Sequence, residues 1–205
     1  MIPQKKLAIS LVALIFAVTI LLDCSVALPE SPAGLPGPGT VIPAFSVPVP
    51  VDDTDKAYLK IVGGNDFQPG NITAEMVLIE IFSVYCAACQ FLEPFMNELY
   101  SKIEKDPELN DRVKIIGIGV GNTKWDISYF KDTYKYPIVP DEELKVHNLV
   151  GEPATPFLIL ARPYGKGRLL VMDSHLGTVK DSDTLLSMVR KAYKADISTM
   201  KVAPE

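Results

Sequence analysis

Apolar positions along the chain fall into three regimes, and each predicts a different kind of structure. From Leu7 to Leu22 apolar or small residues run without a break, between Lys5-Lys6 and Asp23. From 28 to 50 prolines and glycines dominate. Further on, short apolar runs alternate with amphipathic stretches, which is the pattern of a packed domain. Tyr58 to Val62 predicts a short strand closed by Gly63-Gly64. Met76 to Ser83 is almost continuously apolar and predicts a strand buried on both faces. Leu92, Phe95, Leu99 and Ile103 then recur at helical spacing, with Glu93, Asn97, Glu98 and Lys102 on the opposite side. Val113 to Val120 predicts a second buried strand, stopped by Gly121-Asn122.

Thr123 to Tyr134 predicts a helix with Ile127, Phe130 and Tyr134 inward. Ile138-Val139 reads as a short strand or loop, and Asp141 to Leu149 as one or two helical turns. Phe157 to Leu160 and Leu169 to Asp173 predict two strands joined through Pro163-Tyr164-Gly165-Lys166-Gly167 as a hairpin. Asp181 or Ser182 can cap a last helix with Leu185 or Leu186, Val189 and Tyr193 inward. Alternation first and an antiparallel pair last predict an α/β fold, a mixed central sheet with helices on both faces. At 205 residues, a single domain over 51–205 is expected, with no internal repeat.

The first two regimes read as delivery and spacer. A basic pair followed by the apolar run has the form of a secretory signal over 1–27, with Ser25-Val26-Ala27 offering small residues for cleavage after Ala27. Kept uncleaved, the run would span roughly 24 Å, a little short of the ~30 Å hydrocarbon core, and would act as a membrane anchor. A lipid on Cys24 is the third outcome. Each of the three places the domain outside the cytoplasm, in a periplasm or on the outer face of the membrane. Residues 28–50 hold seven prolines and three glycines, so a Pro/Gly-rich linker without packed structure is expected there.

Charge and cysteine content narrow the chemistry. Net charge is −5 and no basic block occurs, which argues against a nucleic-acid partner. The three cysteines, Cys24, Cys86 and Cys89, are too few for a disulfide-stapled scaffold. Two of them form Cys86-Ala87-Ala88-Cys89, where a buried strand gives way to an amphipathic helix. Free N–H groups and the macrodipole at a helix start favour a thiolate, and one turn of helix brings the second sulfur within reach. Cys86 is then the attacking thiolate, and Cys89 resolves the mixed disulfide. A zinc site would need a second ligand pair, which is absent. A static disulfide, or a copper-binding carrier using both thiols with His147 or His175, stays open beside the exchange reading. Asn71-Ile72-Thr73 has the form of a glycosylation sequon.

Glu80-Ile81-Phe82-Ser83-Val84-Tyr85-Cys86-Ala87-Ala88-Cys89, with Pro94 five residues on, resembles the active-site region of thioredoxins. Ala154-Thr155-Pro156-Phe157-Leu158-Ile159-Leu160 resembles the family's second landmark, a cis-proline before a core strand. With Asp141-Glu142-Glu143-Leu144-Lys145-Val146-His147 between them, the chain is most similar to the TlpA-like, membrane-associated branch over roughly 76–193. The resemblance implies a thioredoxin fold and an enzyme, a protein thiol-disulfide oxidoreductase that needs no cofactor or metal. It suggests a reductive role, such as cytochrome maturation, with a membrane thiol-transfer protein as electron donor. A monomer is expected. Glu80 stands where thioredoxins bury an acid, and a lone carboxyl in an apolar strand should have a raised pKa. It is a candidate proton acceptor for Cys89. Tyr85, where the family usually has tryptophan, Thr155 and Pro156 are the candidate substrate contacts, with Pro153 competing with Pro156 for the cis position.

Overall fold

The computed structural model describes residues 34–202. The apolar run 7–22, Cys24 and the first part of the spacer lie outside them. Among these residues eight strands are formed: β1 (Val41–Ile42), β2 (Val47–Pro48), β3 (Asp66–Phe67), β4 (Met76–Phe82), β5 (Val113–Val120), β6 (Ile138–Asp141), β7 (Phe157–Pro163) and β8 (Leu169–Leu176). Among the described residues five α-helices lie between and after them: α1 (Asp53–Tyr58), α2 (Ala87–Lys105), α3 (Lys124–Phe130), α4 (Lys145–Leu149) and α5 (Ser182–Lys194). Six strands make one sheet in the order β1-β8-β7-β4-β5-β6, while β2 and β3 pair separately. β4 is parallel to β5 and antiparallel to β7, so the sheet is mixed, with β4 in its interior.

Successive side chains of a strand point to opposite faces, and β4 shows the consequence. Met76, Leu78 and Phe82 pack with Leu92, Met96 and Leu99 of α2 and with Leu185 and Val189 of α5. Val77, Ile79 and Ile81 pack on the other face with Ile116, Val139 and Val146. Every residue of β4 is buried, which explains the apolar run that only Glu80 interrupts. Glu80 shares the parity of Leu78 and Phe82 and therefore faces α2, the helix that begins at the cysteines.

Several expectations are corrected. Tyr58 to Val62 is not a strand. Asp53 and Asp55 open a short helix that ends at Tyr58, and Val62 is 97% exposed. The Tyr58 hydroxyl instead accepts the Ile115 N–H at 3.0 Å, and Leu59 fills the core. The Pro/Gly-rich stretch does not stay outside the packed domain either. β1 pairs with β8, and Ile42 and Val47 are buried, because proline is tolerated in edge ribbons where its missing donor faces no partner. The helix expected over 123–134 ends at Phe130 and tightens into a 3₁₀ turn at Lys131–Thr133. On α2 the inner position is taken by Met96, with Phe95 half-exposed, and on α5 by Ala192 ahead of Tyr193.

Candidate active site

The strand β4 delivers the chain to the cysteines through a three-residue loop, Ser83-Val84-Tyr85, whose backbone is braced from two sides. The Val84 N–H donates to Asn122 Oδ1 at 3.0 Å, and the Val84 carbonyl accepts from Gln90 Nε2 at 2.8 Å. Asn122 is buried just after β5, and Asn122 Nδ2 donates to Ser83 Oγ at 3.3 Å. Glycine is required beside it: a Cβ on Gly119 would stand 2.7 Å from Asn122 Oδ1. Neither Asn122 nor Gln90 was singled out by sequence reasoning. The cue available was Gly121-Asn122 at the end of a buried strand, where a polar side chain must find a partner.

Cys86 caps the N-terminus of α2, with its Sγ accepting the Cys89 N–H at 3.3 Å. The same Sγ donates to the Thr155 carbonyl at 3.4 Å. Both thiols are free, Cys86 half-buried and Cys89 buried. Burial pushes the Cys86 thiol up, but hydrogen bonds with the Cys89 and Thr155 side chains and with the Cys89 and Ala88 backbone outweigh it and leave it below the ordinary thiol value. Cys89 goes the other way: burial, with the Cys86 sulfur beside it, pushes it up to about 12. The Thr155–Pro156 peptide is cis, which decides between the two prolines. Pro153 instead offers its carbonyl to His147 Nε2 at 3.0 Å. His175 Nε2 lies 3.2 Å from the Thr178 carbonyl. Among the described residues no three of His, Cys, Asp and Glu cluster into a metal site, so neither histidine joins the two sulfurs.

Glu80 is fully buried. Its Oε2 accepts the Tyr136 hydroxyl at 2.6 Å, whereas Oε1 has no partner. Burial raises the carboxyl to about 7 against the Tyr136 hydrogen bond, and the Glu93 charge adds to the rise. Tyr134 links this pocket to the cysteines: burial, then the charges of Glu80 and Cys89, hold its phenol above the ordinary range. Tyr136 was missed at the sequence level. A carboxyl placed in a central strand demands a donor from a neighbouring element, and a tyrosine just ahead of β6 meets that demand.

Tyr85 stays exposed beside Cys86, and its hydroxyl donates to Asp126 Oδ1. Asp126 also closes the capping box of α3, its Oδ2 accepting the Thr123 N–H at 2.8 Å while Thr123 Oγ1 accepts the Asp126 N–H at 3.1 Å. Among the described residues no helix is long and apolar enough to cross a membrane.

No family model matches the sequence. The chain is 28% identical over 97 residues to "Thiol-disulfide oxidoreductase ResA" of Geobacillus thermodenitrificans, covering 46% of this chain and 53% of that protein. It thus spans about half the length of the curated relative it matches. Among solved structures, the thioredoxin domain of a thiol-disulfide oxidoreductase from Bacteroides vulgatus is 17% identical, with a TM-score of 0.55 over 76% of this chain and 99% of that one. A thiol:disulfide interchange protein of the thioredoxin family from Chlorobium tepidum is 17% identical, with a TM-score of 0.54 over 78% and 99%. At these identities the likeness speaks for the fold.

Proposed function

We propose that this member of the thioredoxin-like superfamily, of the ResA/TlpA type, is an exported thiol-disulfide oxidoreductase acting on protein disulfides through Cys86 and Cys89. One observation carries the reading. Cys86 is the accessible sulfur at a helix N-terminus, lowered in pKa, while three residues away Cys89 is buried and raised. An attacking and a resolving thiol need that asymmetry; a static disulfide does not.

In the reductive direction the Cys86 thiolate attacks one sulfur of a substrate disulfide and expels the other as thiolate. Cys89 then loses its proton, with Glu80 Oε1 as the proposed acceptor, and attacks the Cys86 sulfur. The substrate leaves as a dithiol, and the enzyme keeps the disulfide between Cys86 and Cys89. A dithiol donor, for which a membrane thiol-transfer protein is proposed, returns it to the reduced form. Thr155, whose carbonyl already accepts from Cys86, would offer strand-like hydrogen bonds to an extended substrate. The apolar run Leu7–Leu22 after Lys5-Lys6 supports a site of action outside the cytoplasm, where thiols of exported cytochromes awaiting haem are one fitting substrate class.

The test is a trap. Incubated with a disulfide-bearing protein, Cys89→Ser should accumulate a mixed disulfide through Cys86 that mass spectrometry localises. The absence of any adduct, with Cys86 demonstrably free and accessible, would remove the exchange reading.

A further inference from the structure

Beside Cys86 the surface carries a ladder of four aromatic rings, three of which the interior does not use. Tyr85 meets Phe130 edge-on at 6.0 Å, Phe130 meets Tyr129 at 5.1 Å, and Tyr129 stacks on Trp125 at 5.3 Å with 18° between ring planes. Phe130 is half-buried against the core, whereas Tyr85, Trp125 and Tyr129 are 64%, 68% and 69% exposed. Trp125 and Tyr129 lie four residues apart and so share one face of α3. The core side of that helix is filled by Ile127, and its N-terminus is closed by Thr123 and Asp126. Large rings stacked in water and adding nothing to the interior mark an interaction surface.

We propose that Tyr85, Tyr129 and Trp125 form a docking shelf for the apolar or aromatic side chains that flank the reacting cysteine of a protein substrate. The proposal rests on the exchange reaction above. A cysteine bonded to Cys86 carries neighbours only ~3.3–3.6 Å apart along the chain, so its flanking side chains come within reach of Tyr85, the residue next to Cys86. Beyond it the ladder continues without a gap to Trp125. The Tyr85 hydroxyl bond to Asp126 holds the first ring in place before any substrate arrives, which lowers the entropic cost of docking. A polypeptide fits this surface better than a lipid layer. The carboxylate of Asp126, held below its usual range by the Tyr85 hydroxyl and Thr123, lies under the rings, and exposed Lys124, Ser128 and Asp132 border them. Taking such charges into hydrocarbon is unfavourable, whereas a polar rim around aromatic anchors is ordinary at a protein interface.

Trp125 is the only tryptophan in the chain, so its emission reports occupancy directly. The whole chain is titrated with a tryptophan-free peptide that carries Phe, Tyr and Leu around a serine in place of the cysteine. A second peptide of equal charge carries Ser and Gly at those positions. The first should change the emission saturably and the second should not. Tyr129→Ala should weaken binding on the order of tenfold, and Tyr129→Phe, which keeps the ring, should retain it. With the cysteine restored as a disulfide, wild type should react faster with the aromatic-flanked peptide. That ratio should fall towards one in Trp125→Ala/Tyr129→Ala. Tyr164→Ala should keep the wild-type ratio, because Tyr164 sits in the β7–β8 turn, at the end of the sheet away from Cys86. Equal emission changes with both peptides, or an unchanged ratio in the double variant, would overturn the shelf. So would an emission change on phosphatidylglycerol–phosphatidylcholine vesicles with none on the peptides. The titration needs no thiol chemistry, so loss of the shelf and loss of the exchange reaction are told apart.

Discussion

Cys86 and Cys89 carry the same chemical group three residues apart, yet they belong to opposite regions of the molecule. The Cys86 region is open: a helix start, a carbonyl from the Thr155 segment, and exposed rings. The Cys89 region is closed, joined through Tyr134 to a fully buried Glu80 and Tyr136 and to one carboxyl oxygen left without a partner. Donors aimed at a sulfur stabilise its anion, and desolvation suppresses it, so one helix turn is enough to separate the two acidities. The comparison teaches that the motif supplies the sulfurs, while the helix start and the Thr155 segment on one side and burial on the other supply their difference.

The pocket side can be broken at Glu80. Glu80→Gln keeps the shape and removes the titrating group. Resolution of the mixed disulfide should slow by about 10²-fold, the lower end of general-base effects, with the first attack by Cys86 little changed. Rapid mixing that separates the two steps checks this, and equal resolution rates from pH 6 to 9 would make Glu80 an ordinary strand residue.

A thermodynamic signature of the same group should follow in unfolding experiments. Glu80 titrates near 7 in the folded chain and near 4.3 when unfolded, so the folded state binds the proton more tightly. Stability from this group is present below about pH 4.3 and is lost as pH rises through about 7, amounting to about 4 kcal/mol. Glu80→Gln should lack that decline, so its stability relative to wild type should improve by about that amount between pH 4.5 and 8.

A smaller change sharpens the comparison. Tyr136→Phe removes the hydroxyl that holds Glu80 Oε2 and lowers its pKa. Resolution near pH 7 should then fall severalfold and recover by pH 9, because the carboxylate forms only at higher pH. A loss that is the same at every pH would mean that Tyr136 merely packs.

Much of this arrangement was legible in the sequence because it rests on local pattern. The nearly unbroken apolar run at β4, the helical spacing of Leu92, Leu99 and Ile103, and the cysteines between them required no tertiary information. What was not legible depends on pairing. Val41-Ile42 gains a strand only because β8 offers it an edge, and Tyr58 closes a helix whose last side chain accepts from the distant Ile115 N–H. Asn122, Gln90 and Tyr136 act on residues between 6 and 56 positions away, so spacing carried no sign of them. The shelf rings were visible as residues but not as a set, since contact between Tyr85 and Phe130 is made only when α3 folds beside the loop.

The central claim is the division of labour between the two sulfurs, and alkylation of the reduced protein across pH tests it most directly. With site-resolved mass spectrometry, Cys86 should label first, with an apparent pKa below the free-thiol value of about 8.5. Cys89 should remain unlabelled well beyond pH 10, in keeping with a thiol pushed up to about 12. Labelling of Cys89 ahead of Cys86, or of both together at the free-thiol pKa, would contradict the account.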